Sequence, residues 1–187
     1  MPPERLILAS RSPQRRAILE QLGIPFAVEQ PEVEELEAGP PHEVAVENAY
    51  RKAHAVSSRR PGASVLGADT LVCVGSRIYG KPADAEQART TLRELAGRRH
   101  AVIGGLCLIQ DGAARTAAAT TLVEFRVLSE ELINWYLANG EWRGRAGGYA
   151  IQGCGAALVA AIEGDYFNVV GLPVPTLLEM TPGLLPA

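Results

Sequence analysis

Leu6-Ile7-Leu8-Ala9-Ser10-Arg11-Ser12-Pro13-Gln14-Arg15-Arg16-Ala17-Ile18-Leu19-Glu20-Gln21-Leu22-Gly23 is the stretch on which the fold turns. Leu6 to Ala9 has the length and apolar content of a buried strand. Ser12 then reads as a helix N-cap and Pro13 as the first helical residue, because proline's missing N–H is no loss there. Ile18, Leu19 and Leu22 form the apolar face, and Gly23 ends the helix. A strand handing directly to a helix is the unit that α/β chains repeat.

Working outward, Phe26 to Glu29 reads as a second strand, followed by an acidic, proline-bounded loop from Gln30 to Pro41. Glu43 to Ser58 has helical periodicity, with Ala45, Ala49, Ala53 and Val56 on one side. Val65 to Ala68 is another apolar strand, and Leu71 to Tyr79 reads as a hairpin through Gly75-Ser76. Ala83 to Ala96 is helical in composition. His100 to Ile109 and Ala117 to Val127 read as strands joined at Asp111-Gly112, and Ser129 caps a helix through Leu137. Gly140 to Gly155 is rich in glycine and polar groups, which reads as a loop outside the core. Ala156 to Ile162 and Asn168 to Leu172 flank a turn at Glu163-Gly164-Asp165, and Pro175 to Met180 forms a final helix. No repeat or linker divides the chain, so residues 1–187 are expected to form one α/β domain with a mixed sheet.

Bulk properties narrow the function. The 187 residues are 47% hydrophobic and 21% charged, with a formal net charge of −3. That charge argues against a broad nucleic-acid surface but leaves room for a local basic cluster that meets a small anion. Cys73, Cys107 and Cys154 are odd in number and far apart, which argues against a disulfide framework or a zinc site. His42, His54 and His100 are dispersed, which fits structural or surface roles. Met1 to Arg5 does not lead into a signal-peptide pattern, and no apolar run approaches the roughly 20 residues of a membrane span. A cytoplasmic protein without a membrane partner is the expectation.

Several residues carry possible chemistry. Arg11, Arg15 and Arg16 surround a helix N-terminus, where cations are disfavoured; they either fan into solvent or converge with the free N–H groups on a phosphate. Lys52 falls on the apolar side of its helix, so it either snorkels to the surface or enters a polar cleft. Asp69, read as the tip of an apolar strand in Gly67-Ala68-Asp69-Thr70, could hold a divalent metal or activate a water. Lys81 is fixed in Gly80-Lys81-Pro82. Gln152, in a glycine-rich stretch, offers an amide donor and acceptor suited to the edge of a uracil or thymine ring. No P-loop string and no dinucleotide-binding fingerprint is present.

Taken in order, these strings resemble the Maf family of nucleotide pyrophosphatases. The matching segments are Leu8 to Arg16, Glu34-Glu35, Arg51-Lys52-Ala53, Gly67 to Thr70, Gly80-Lys81-Pro82, Leu95 to His100, Ala146 to Gly153 and Val169 to Pro173. The resemblance implies a mixed sheet with flanking helices around a deep cleft, as in inosine triphosphate pyrophosphatases, commonly as a homodimer. It implies a nucleoside triphosphate substrate, a divalent cation (magnesium or manganese), and cleavage between the α- and β-phosphates. Carried over residue by residue, Asp69 resembles the general base and, with Glu35, a metal ligand; Glu34 is the alternative to Glu35. Lys52 and Lys81 resemble catalytic cations. Ser10, Gln14, Arg15, Thr70 and Gln152 resemble substrate ligands. Thr70 and Ile151-Gln152-Gly153 agree with the branch that prefers dTTP and UTP. Gln14 stands where that branch carries an arginine, and Trp142 where a proline is usual. A 7-methyl-GTP or broad-specificity pyrophosphatase, or a nucleotide-binding regulator of septum formation, are the alternative readings.

Overall fold

The computed structural model describes residues 6–186; Met1 to Arg5, on which the leader expectation rests, lie outside the described residues. Strand β1 (Leu6–Ala9) is central to a parallel ladder. It pairs on one side with β2 (Phe26–Glu29) and on the other with β3 (Val65–Val74). From β3 onward the sheet is antiparallel, through β5 (Arg99–Gln110), β6 (Ala113–Phe125) and β7 (Val159–Glu163). The short β4 (Arg77–Tyr79) returns against the far end of β3. The sheet is therefore mixed, in the order β2-β1-β3-β5-β6-β7.

Helix α1 (Pro13–Gln21) starts as its sequence dictates: the Ser12 side chain accepts from the Arg15 N–H, with Pro13 in the first turn. Strand alternation sends Leu6, Leu8, Leu66 and Ala68 to the face covered by α1 and by α6 (Val174–Met180). Ile7, Ala9 and Val65 point to the other face, against α2 (Pro41–Ser57). Alanines 45, 49 and 53 let α2 lie almost on the sheet, and two glycines complete the approach. A Cβ on Gly67 would collide with the Ala49 carbonyl and the Ala53 nitrogen, and one on Gly105 with the Ala45 carbonyl. This packing matters for function, because it brings α2 side chains onto the strand carrying Asp69.

A third apolar cluster joins β5 and β6 to α3 (Ala85–Leu95) and α4 (Glu130–Asn139), and the glycine-rich segment contributes to it. The loop reading of 140–155 is thus corrected. The segment contains one short 3-10 turn, Ala146–Gly148, and leads into another, Gly153–Leu158, and it buries Trp142, Tyr149 and Ile151. Large side chains between glycines anchor such a segment, because each aromatic ring removes far more apolar area from water than a glycine exposes. His100 lies beneath it, 2% exposed, its Nε2 2.8 Å from the Tyr149 hydroxyl and its ring edge-on to Phe125 and Tyr149. Burial holds its pKa down at about 4, so it is neutral and structural at ordinary pH. Beyond the turn at 163–165, α5 (Tyr166–Val170) is capped by Asp165.

The three cysteines are free, and among the described residues no three His, Cys, Asp or Glu side chains group as a metal site. No described helix is long and apolar enough to cross a membrane.

Candidate active site

Strand β1 stops at Ala9, opposite Gly67, whereas β3 continues for seven more residues paired only with β5 until β4 joins at Val72. The edge of β3 is therefore uncovered at 68–71, and the cleft opens there. Asp69 is not at a strand tip, as its sequence context suggests; it sits in mid-strand, at the point where the neighbouring strand has ended. The consequence resembles that of a switch point in an open sheet: a crevice lined by both faces at once. Odd-numbered residues of β3 face α2, so Asp69 meets α2. Thr70 faces the α1 side.

The floor of this crevice is an ion-pair cluster. Lys52 Nζ lies 2.6 Å from Asp69 Oδ1 and 3.0 Å from Glu35 Oε1, with Lys52 and Asp69 each 5% exposed. Lys52 does not snorkel. Glu35, not Glu34, is the acidic-loop residue brought to the cluster; the Glu34 carbonyl instead receives Arg51. Lys81 Nζ, in solvent, stands 3.7 Å from the second Glu35 oxygen.

Asn48, which sequence reasoning did not single out, is the device that assembles these parts. Its amide nitrogen donates to Asp69 Oδ2 at 3.0 Å and to the Leu36 carbonyl at 3.0 Å, while its oxygen accepts from the Leu36 N–H at 2.7 Å. One side chain thus pins both the carboxylate and the loop presenting Glu35. The available signal was its position four residues before Lys52, on the same helical face.

Burial alone would raise the Asp69 pKa. The charges of Lys52 and Arg15, with hydrogen bonds from Lys52 and Asn48, outweigh it and hold the carboxyl below its ordinary range. Arg15 is itself buried; its Nη1 donates to Ser10 Oγ at 3.1 Å, its Nη2 to Thr70 Oγ1 at 3.1 Å, and its Nε to the Gly171 carbonyl at 2.9 Å. Burial lowers its pKa, and the negative charges of Asp69 and Glu35 partly restore it. Of the three arginines near the α1 N-terminus, Arg11 and Arg15 line the crevice. Arg16 turns away and pairs with Glu20.

All nine proposed site residues — Ser10, Gln14, Arg15, Glu35, Lys52, Asp69, Thr70, Lys81 and Gln152 — border one cavity of about 770 Å³. That volume suits a nucleotide-sized ligand. Sequence reasoning missed Glu141, Arg143 and Arg145, which also line it. Its wall carries six cationic and three carboxylate side chains, a positive excess in a chain of net charge −3. Such a cavity concentrates field on an entering polyanion.

The chain matches the Maf-like protein family over residues 5–183. It is 49% identical over 179 residues to a dTTP/UTP pyrophosphatase of Symbiobacterium thermophilum, covering 95% of this chain and 92% of that one. Identity to the protein of the same name from Pyrococcus furiosus is 42% over 181 residues, with 95% and 94% coverage. For that of Gloeobacter violaceus it is 45% over 178 residues, with 94% of each chain covered. Among solved structures, one described as the Staphylococcus aureus Ham1 protein aligns with a TM-score of 0.47 and 17% identity, covering 65% of this chain and 71% of that chain. With family agreement running nearly end to end, this chain belongs to the Maf-like protein family.

Proposed function

We propose that the chain is a nucleoside triphosphate pyrophosphatase acting on dTTP and UTP, and that it forms one domain working in the cytoplasm as a homodimer. The observation that carries the chemistry is the Lys52 ammonium held between Asp69 and Glu35 on the floor of a cationic cavity. The base preference rests on relatives named for that activity and on Thr70 and Gln152 at the cavity wall. The single-domain, homodimer and cytoplasmic assignments rest on family membership.

In this reading Asp69, ionised at neutral pH because its pKa is lowered, orients a water against the α-phosphorus and accepts its proton. The new P–O bond forms as the α–β anhydride bond breaks, giving monophosphate and pyrophosphate; the proton passes from Asp69 to solvent. Lys52 keeps the Asp69 carboxylate in place and offsets its charge as the anionic substrate approaches. Arg15 spends three donors on Ser10, Thr70 and Gly171 and retains others for a phosphate oxygen. Arg11, Arg143 and Arg145 make no side-chain ion pair among the described residues, so their guanidinium groups are available to the outer phosphates.

Asp69 and Glu35 also suit a divalent cation. Both reach the Lys52 ammonium with hard oxygen donors and so lie close to each other, and magnesium or manganese needs only one or two carboxylates when substrate phosphates and water complete its shell. When bound, the cation would neutralise charge on the phosphates.

The test is to incubate purified protein and magnesium with a nucleotide panel, measuring monophosphate and pyrophosphate. Equimolar pyrophosphate with highest kcat/KM for dTTP and UTP is expected. Release of single inorganic phosphate would overturn the reaction class, and preference for 7-methyl-GTP the base assignment.

A further inference from the structure

Glu141 is a carboxylate on the cavity wall that the proposed chemistry does not use. It follows Gly140, whose left-handed backbone (φ 74°) ends α4. The next residue, Trp142, is 4% exposed and donates its indole N–H to the Leu137 carbonyl at 3.2 Å, locking the chain just past the helix. Between these anchors Glu141 has little freedom.

Both of its oxygens are committed to one short stretch. Oε1 accepts from the Cys154 N–H at 3.0 Å and Oε2 from the Gly155 N–H at 3.1 Å. These are donors at the start of the Gly153–Leu158 turn of 3-10 helix, and a carboxylate receiving two backbone N–H groups is a strong, directional restraint. The fit is close. A Cβ on Gly153, whose φ is +73°, would collide with Glu141, and one on Gly155 with the Ala150 carbonyl.

The other end of the same bend is held from α4 itself. The buried Tyr136 hydroxyl accepts from the Ala150 N–H at 3.0 Å. Gln152 lies at the middle of the segment bracketed in this way. It is exposed, lines the cavity and makes no side-chain hydrogen bond among the described residues, leaving its amide free for a ligand.

We infer that Glu141, assisted by Tyr136, is a positioning residue that aims the Gln152 amide at the nucleobase and so governs base discrimination rather than hydrolysis. The inference rests on the proposed pyrophosphatase activity. An amide can accept usefully only if its backbone is fixed, and a fixed Gln152 rejects bases whose edge presents the wrong donor or acceptor because a group is then left unpaired.

Glu141→Gln leaves one uncharged acceptor oxygen for one of the two N–H groups and turns an amide donor toward the other. The kcat/KM for UTP should fall roughly ten-fold. The value for CTP, expected to be low in the wild type, should change by less than about two-fold, so the UTP/CTP ratio collapses. Tyr136→Phe should shift the ratio in the same direction by a smaller factor, and serves if Glu141→Gln does not fold. An equal fall for both nucleotides would show only general damage and overturn the inference, as would an unchanged ratio in both variants. Wild-type protein run alongside separates the two claims. If it cleaves no triphosphate, the pyrophosphatase reading fails and takes this inference with it; if it discriminates and the variants discriminate equally, only the role of Glu141 fails.

Discussion

On the floor of the cleft, Lys52, Asp69, Asn48 and Arg15 are buried, and they are fixed by hydrogen bonds of 2.6–3.1 Å. On the rim, Lys81 and Gln152 stand in solvent and Gln14 is half-buried, on segments between regular elements or at a helix's first turn. Asp69 is mounted on β3 and Asn48 and Lys52 on α2, pressed together through Gly67, while Arg15 comes from α1. A reacting group gains from such rigidity, since misplacement by an ångström is costly. A group that meets a ligand at the mouth needs access instead. The groups around Asp69 are thus held rigidly at depth, while Lys81, Gln14 and Gln152 stay accessible at the mouth.

The difference can be broken hardest at Asp69. Asp69→Asn should lower kcat by about 10²–10⁴-fold with a much smaller change in KM, measured as pyrophosphate release. Lys52→Met should do what no rim substitution does, and destabilise the fold. It strands the Asp69 carboxylate without its cation, at a cost of about 3 kcal/mol, seen as a shifted urea midpoint. The corresponding fall in Tm is roughly 10 °C.

Acid sharpens the contrast further, because the floor and the anchor of the glycine-rich segment respond in different windows. Asp69 has a lowered pKa in the folded state, so its contribution is complete above the ordinary carboxylate value and disappears only as pH falls through that lowered pKa. His100 has its pKa depressed from 6.5 to about 4, so the unfolded chain binds a proton that the native one refuses. Its contribution is complete above pH 6.5 and declines as pH drops toward 4, by about 3 kcal/mol in all. Urea titrations between pH 7 and 4.5 should show that slope, and His100→Gln should flatten it. The smallest effect belongs to the rim. Gln14→Arg should lower KM for triphosphates two- to five-fold at low salt, fade as ionic strength rises, and leave stability within about 0.5 kcal/mol.

Much of this arrangement was legible in the chain itself, wherever the physics is local. Ser12 and Pro13 announce α1 because capping is settled within four residues, and Lys52 on an alanine face narrows to two outcomes, snorkelling or a polar cleft, between which the fold decides. What was not legible depends on partners distant in sequence. Asp69 looks like the end of a strand because the local apolar run ends there, yet β5 carries β3 onward and only β1 stops short. Asn48 is an unremarkable helix residue until Leu36 and Asp69 are brought to it. Gly104 and Gly105 form no motif; their role is steric, Gly105 admitting α2 and Gly104 the Asn168 side chain. The glycine-rich stretch reads as solvent-facing because composition averages over Trp142, Tyr149 and Ile151, the residues that tie it down.

The Arg15 guanidinium joins Ser10 and Thr70 to a carbonyl 156 positions further along. A polypeptide emerging from the ribosome therefore carries Asp69, Lys52, Lys81 and the acidic loop well before Gly171 is available to close that tie. Arg15 can take up this bonded position on the cavity wall only after residue 171 has been made.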